Sequence, residues 1–367
     1  MALYLLKPIL WNTRNYIGPS GVRASRESYP GQNGFGHEEW NNSPNMAFSE
    51  GKLRFRAFHT EGVKKAPVDE YAGQCFVMMI ATHGGIQQLV GVAGNAMYLG
   101  DIKHEAERKR IAKMLDIKDL WRDAWALPGV KDRFQQDEAS FRRRFSGELT
   151  WVPNWICPDE YFLWFSEPVT LNAQSILGSN WLPKMFSGYK ALEHDEAATV
   201  MNSVPGDQRS KKWERLMDAM LSAPRERVPP STGENDDAPA TTRLMSILAR
   251  VGQGSFRDAL LAKWGGSCAV TGLTCPELLR ASHVKPWSSS TRRERLDPCN
   301  GLLLAAHLDA LFDKGLISFD DAGRMLLSSR LQSDERTHFG LPKGLRKKPD
   351  DSLSAYLAHH RDKLFVA

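Results

Sequence analysis

Near the carboxyl end of a 367-residue chain, five side chains have types and spacing suited to chemistry: His283, Asn300, His307, Asp309 and Asp313. An imidazole with its ordinary pKa of ~6.5 is largely neutral at physiological pH, so it can take a proton from water or ligate a metal. Asn300 lies seventeen residues after His283 and is followed by Gly301 and the aliphatic run Leu302-Leu303-Leu304. Asp309 and Asp313 are spaced i, i+4 and share a helical face. His307 and Asp313 are six apart, so an ideal helix does not bring them to the same side. Such a set suits metal-assisted hydrolysis, which needs a base to activate water, a cation beside the developing negative charge and help for the leaving oxygen.

The residues sit in three runs: Cys268-Ala-Val-Thr-Gly272, Ser282-His-Val-Lys-Pro-Trp287, and Asn300-Gly-Leu-Leu-Leu-Ala-Ala-His307-Leu-Asp-Ala-Leu-Phe-Asp313. Their content and order resemble the His-Asn-His (HNH) nuclease family, which has a ββα-metal active site and breaks phosphodiester bonds. The resemblance implies that His283, at the end of the first strand, is the general base. It implies that the Asn300 side-chain carbonyl accepts the His283 ring N–H. It makes His307, on the following helix, a ligand of one divalent metal (Mg2+, or Mn2+, Ni2+ or Co2+), with Asp313 as a second candidate. This chain departs from the pattern at Ser282, where many members place an Asp or His that binds the metal. Asp313 either touches the metal, caps, or pairs with Arg292, Arg293 or Arg295, and Asp309 is a further carboxylate. Lys285 is placed to meet the scissile phosphate. Arg292, Arg293 and Arg295 fall on the expected hairpin loop, where they contact backbone phosphate or form an exposed polar loop.

The elements that must position these residues are legible in outline. Residues 243–367 read as the nuclease domain: a helix over Arg243–Leu261 broken by glycines at 252–254, the motif region, and an amphipathic helix over Asp351–Leu364. Residues 205–242 read as a linker. Lys211–Leu221 has helical character, but Pro224, Pro229, Pro230 and the polar run Ser231–Thr242 do not. Residues 1–204 read as a mixed α/β domain. Gln74–Thr82 and Gln87–Ala93 are strands joined by a His83-Gly-Gly85 turn. Lys52–Phe58 alternates as a half-buried strand does. Tyr161–Phe165 is a strand stopped by Pro168. Ile102–Trp125 has apolar residues at helical spacing, and His194–Asn202 is a short helix.

Composition narrows the classes. Net charge is +5 and hydrophobic residues are 42% of the chain, which fits two globular domains and is compatible with nucleic acid. Cys75, Cys157, Cys268, Cys275 and Cys299 are odd in number and scattered. They make no secreted disulfide framework and no Cys-x-x-Cys clip, so buried free thiols are expected rather than structural zinc, even with Cys299 and His338 available. No apolar run is long enough for a membrane span or a signal core. The expected setting is a reducing, prokaryotic cytoplasm.

The first domain is rich in aromatics. Gly34-Phe-Gly-His-Glu-Glu-Trp40 is a glycine-rich loop from which Phe35 and Trp40 are expected to project, and Leu89-Val-Gly-Val-Ala-Gly94 is a β-segment open to close approach. With Trp164 and the Trp181–Tyr189 segment, this pattern resembles the PUA-like superfamily of EVE, YTH and SRA readers. Those proteins flip a modified base into an aromatic cage, which would make Phe35 and Trp40 pocket residues here. The whole layout resembles modification-dependent (type IV) restriction endonucleases. The expected fold is thus α+β: a β-barrel-like (PUA-like) domain, a flexible linker and a ββα-metal nuclease domain. The expected partner is double-stranded DNA carrying a modified base, most readily a modified cytosine such as 5-methylcytosine, met by a homodimer in defence against phage. Two alternatives stay open: a restriction or toxin-like HNH nuclease without modification dependence, and a non-cutting DNA-binding protein with a degenerate nuclease fold.

Overall fold

The computed structural model describes residues 2–22, 24–51, 53–63, 66–147, 153–221, 256–286, 289–291, 294 and 297–366. The chain divides into two units, Met1–Ile247 and Leu248–Ala367.

The first unit is built on β1 (Leu3–Pro8), β2 (Ala47–Glu50), β3 (Leu53–Phe58), β4 (Cys75–His83), β5 (Ile86–Tyr98), β6 (Trp155–Pro158), β7 (Phe162–Thr170) and β8 (Lys190–Leu192). They pair in the order β2-β3-β6-β5-β4-β1-β8, with β7 also beside β5. β1 runs parallel to β4, and the other pairs are antiparallel. Alternation explains the core. In β4, Phe76, Met78 and Ile80 enter one apolar cluster, while Cys75, Val77, Met79 and Ala81 enter the other. A strand covered on both faces reads as the unbroken apolar run seen there. In β1, Tyr4 and Leu6 face one cluster and Leu5 the other. Lys7, two residues beyond Leu5, is carried inward with it and is 0% exposed.

The β4–β5 turn follows the sequence closely. Gly84 and Gly85 have φ of 55° and 81°, and His83 pairs with Ile86, so two left-handed residues close the hairpin. β7 runs past Pro168 to Thr170 rather than stopping there. The β5–β7 ladder shifts register between Leu89 and Gly91, so the proline falls in an irregular stretch. The expected barrel does not form: among the described residues the sheet path ends at β2 and β8. The cause lies in β5. One edge of it serves β7 through Gln88–Ala93 and β6 through Met97–Tyr98. Asn95, at φ 50°, lies between the two segments. The sheet therefore forks and stays open.

Helices α1 (Tyr29–Asn33), α2 (Glu105–Ala112), α3 (Trp121–Trp125), α4 (Pro128–Arg133), α5 (Glu138–Gly147), α6 (Ala173–Leu177), α7 (His194–Asn202) and α8 (Lys211–Leu221) complete the unit. Ile176 of α6, Ala197, Val200 and Met201 of α7, and Leu216 and Met220 of α8 share one face's cluster. The helix expected within the linker is thus α8, packed on this core. The proline-rich run after it lies outside the described residues.

Phe35 and Trp40 need correction. They do not project from a loop; they are 3% and 0% exposed. Their rings meet each other at 5.8 Å, and Phe145 lies 5.9 and 6.3 Å from them. The Trp40 indole donates to Asp123 Oδ2 at 3.1 Å. The glycine-rich motif turns back on itself as a capped 3-10 turn and carries both rings into the α1–α5 core.

The second unit contains α9 (residues 256–264), β9 (Leu279–His283), β10 (Gly301–Ala305), α10 (Ala306–Asp313), β11 (Ile317–Phe319), β12 (Met325–Leu327), α11 (Ser333–His338) and α12 (Asp351–Lys363). Its core gathers Phe256 and Leu260 of α9, Leu302–Leu304 of β10, Leu308 and Phe312 of α10, and Leu353 and Leu357 of α12. All five cysteines are free thiols. Cys268 Sγ accepts the N–H groups of Val270, Thr271 and Ala305, which ties its turn to β10.

Candidate active site

β9 and β10 form an antiparallel hairpin in which His283 pairs with Gly301, and α10 follows β10 directly. This is the ββα arrangement. His283 ends β9, half-buried, and its ring stacks on Phe256 of α9, with centroids 4.0 Å apart and planes 6° apart. Gly301 is required opposite it. A Cβ there would stand 2.4 Å from the Phe256 ring and 2.8 Å from Leu260. The glycine therefore lets α9 approach the hairpin and lay Phe256 on the imidazole.

Asn300 is 0% exposed and precedes β10. Its bonding differs from expectation. The side-chain carbonyl accepts the Lys285 backbone N–H at 2.7 Å, not the His283 ring. The amide NH2 donates to Glu294 O at 3.0 Å, and to Lys285 O and Ser290 Oγ at 3.3 Å each. The Asn300 main-chain carbonyl accepts Val284 N–H at 3.1 Å. Asn300 thus holds the backbone that leaves β9 after His283, and the intervening loop at 284, 285, 290 and 294. The reason is proximity: the residue opposite the loop's start meets unsatisfied main-chain groups before it meets a ring.

Lys285 shares in this. Its Nζ lies 2.8 and 2.9 Å from the two Glu294 oxygens, and that contact, with hydrogen bonds from Thr291, pulls the Glu294 carboxyl down to about 2. The lysine expected at the scissile phosphate therefore braces the loop here. Glu294 and Phe256 are the supporting residues that sequence reasoning missed. Glu294 was hidden among arginines, and Phe256 had only its helical setting to mark it. Arg292, Arg293 and Arg295 lie outside the described residues.

On α10, His307 is exposed and its ring lies parallel to that of Phe339 at 6.0 Å. Desolvation raises the Asp309 carboxyl, against the pull of Ser282 and Arg280. Desolvation and the neighbouring Asp309 push Asp313 up to about 6, although its side chain keeps solvent access. The Ser282 hydroxyl is buried, 3% exposed as a residue, and makes no hydrogen bond of normal geometry among the described residues. Among the described residues, no three carboxylate, imidazole or thiol donors of the motif lie within 4.8 Å of one another; the one such group is Asp69, Asp101 and His104 of the first unit. His307, Asp309 and Asp313 are therefore not gathered into a closed shell. The donor chemistry still fits a hard dication. Two carboxylates one turn apart repel without one, and Mg2+ is commonly held by one or two carboxylates, with water and substrate phosphate completing the sphere.

Residues 268–320 match the model of the HNH endonuclease family. A search of the curated proteins finds no match to the chain. The second unit therefore carries an HNH endonuclease domain, and the enzyme class it defines is a nuclease that hydrolyses phosphodiester bonds. HNH nucleases act with a divalent metal on DNA. Among the described residues no helix is long and apolar enough to cross a membrane.

Proposed function

We propose that the chain is a modification-dependent DNA endonuclease: the first unit reads a modified base, most readily a modified cytosine, and the second cuts by a one-metal HNH mechanism. The observation that carries the cleavage half is the hairpin that sets His283 against Gly301, with Asn300 locking the loop behind it.

In this mechanism the His283 imidazole takes a proton from the attacking water. The water oxygen bonds to phosphorus as the bond to the leaving sugar oxygen breaks, and that oxygen gains a proton from solvent. Phe256 stacking and the Asn300 loop hold the ring for in-line attack. Asp309 and Asp313, which share one face of α10, would hold the divalent ion, whose positive charge offsets the negative charge that grows on the phosphoryl oxygens, and His307 would join them only with a local shift of α10. His283, Asn300 and His307 thus remain the proposed catalytic set, with Asn300 positioning. Arg292, Arg293 and Arg295 remain proposed phosphate contacts.

The reading half is supported by the layout. A large unit with its own core accompanies a small nuclease module, which leaves the first unit free to choose the target. Restriction of foreign DNA by a homodimer is the setting proposed for it. The test is cleavage of two plasmids of identical sequence, one carrying 5-methylcytosine or 5-hydroxymethylcytosine, in Mg2+ or Mn2+. Cutting of the modified plasmid alone is expected. Equal cutting of both would show a nuclease without modification dependence.

A further inference from the structure

Glu38 and Glu39 are adjacent and buried, yet differently served. Glu39 Oε1 accepts from Asn12 Nδ2, Ser20 N–H and the Ser20 hydroxyl, and its Oε2 accepts Gly36 N–H. Both oxygens hold the loop. Glu38 is 4% exposed; its carboxyl accepts Leu10 N–H on Oε1 at 3.3 Å and is also pulled by its own main-chain N–H. Its Oε2 lies beside Gly36, where a Cβ would come within 3.1 Å of it. A buried carboxyl served by so few donors is costly, and is kept where something else completes it.

Linked to Glu38 are further polar groups of the same kind. Leu10, which reaches Glu38, accepts the Tyr16 hydroxyl on its carbonyl at 2.8 Å. The Tyr16 ring meets Trp164 at 4.8 Å. Trp11, the next residue in the chain, stacks on His83 at 5.0 Å and 13°. The indole N–H groups of Trp11 and Trp164 are buried and make no hydrogen bond among the described residues. Gly91 lets Trp164 lie against β5, since a Cβ would come within 2.5 Å of its ring. Lys7 lies on the same inner face, its ammonium donating to the carbonyls of Phe186 and Gly188. Lys7, Glu38 and Glu61 interact electrostatically. These residues cluster where the parallel strands β1 and β4 end.

We infer that this cluster is a nucleobase-binding site, in which the Trp11 and Trp164 rings supply stacking surface and Glu38 reads the hydrogen-bonding edge of the base. The assignment rests on the reading of the first unit as a base reader and replaces the buried Phe35 and Trp40 as its pocket. Burial, helped by Glu61 and Glu39, pushes the Glu38 carboxyl up to about 7. Near neutrality a large share is protonated, so one oxygen donates and the other accepts. That pattern complements the ring-nitrogen acceptor and amino donor of cytosine, and a substituent on the far edge is left to the aromatic walls. Stacking of this kind contributes about 1–3 kcal/mol per base.

The test is fluorescence anisotropy of the full chain in EDTA with three duplexes of one sequence, carrying 5-methylcytosine, 5-hydroxymethylcytosine or neither. The wild type is expected to prefer one modified duplex at least tenfold. Glu38→Ala is expected to bring that ratio to within twofold of unity. Glu38→Asp keeps the acid, shortens its reach by one methylene and guards against misfolding in the alanine variant; it is expected to lose most of the preference with an unchanged melting temperature. Preference retained in either folded variant overturns the site alone. No preference in the wild type overturns the reader as well.

Discussion

Asn300 is the residue whose role changed most between sequence and structure. Its presence, seventeen residues after His283, was legible because the motif runs occur in family order. Its partners were not, because they are main-chain atoms brought near by a loop whose path no local pattern dictates. The role has an energetic consequence. Removing the amide leaves Lys285 N–H and the carbonyls of Lys285 and Glu294 short of partners in a buried place, at about 1–3 kcal/mol for each group left unsatisfied. Asn300→Ala is therefore expected to lower the second unit's stability by at least about 3 kcal/mol and to cut the cleavage rate at least tenfold. Thermal melting and single-turnover cleavage check this. An Asn300→Ala protein with unchanged melting but lost activity would favour direct contact between Asn300 and the reacting groups. Ser282 belongs to the same scale. It stands where a metal ligand is often found, and its buried hydroxyl neighbours Asp309.

Elements with a strong period were legible and long-range pairings were not. The β4–β5 hairpin, α7, α8 and α12 follow from alternation, paired glycines and helical spacing. The fork in the sheet does not, because it depends on β5 meeting both β6 and β7 along one edge. Burial of Phe35 and Trp40 was missed for a related reason: a glycine-rich motif resembles a loop unless its capping contacts are known. At the active hairpin, the approach of α9 to β10 gives a test of positioning. Gly301→Ala must move Phe256 or Leu260 to relieve a contact of 2.4 Å, at about 1–3 kcal/mol for an overpacked site. Phe256 would leave the His283 ring, so a loss of turnover about tenfold larger than any loss of DNA affinity is expected. Turnover and affinity falling together would place the effect in DNA contact instead.

For the whole molecule, the proposed function gives each of the two units a separate task. The proposed reader needs a site that admits a base, and the nuclease needs a hairpin that admits a backbone. Roles can be proposed for named residues of the second unit because the motif is compact in sequence. The first unit's candidate site draws on β1, the loop after it, the 36–40 turn, β4 and β7. No single run could reveal it, and only the fold assembles it.

The central claim is that His283 is the base of a divalent-metal nuclease. The most direct measurement compares wild type and His283→Ala on one modified plasmid in Mg2+ or Mn2+, with binding followed in parallel. A general base contributes roughly 10²–10⁴-fold to rate. The variant should therefore lose cleavage by at least two orders of magnitude while binding the modified plasmid as the wild type does. Cleavage by His283→Ala at the wild-type rate would contradict the account.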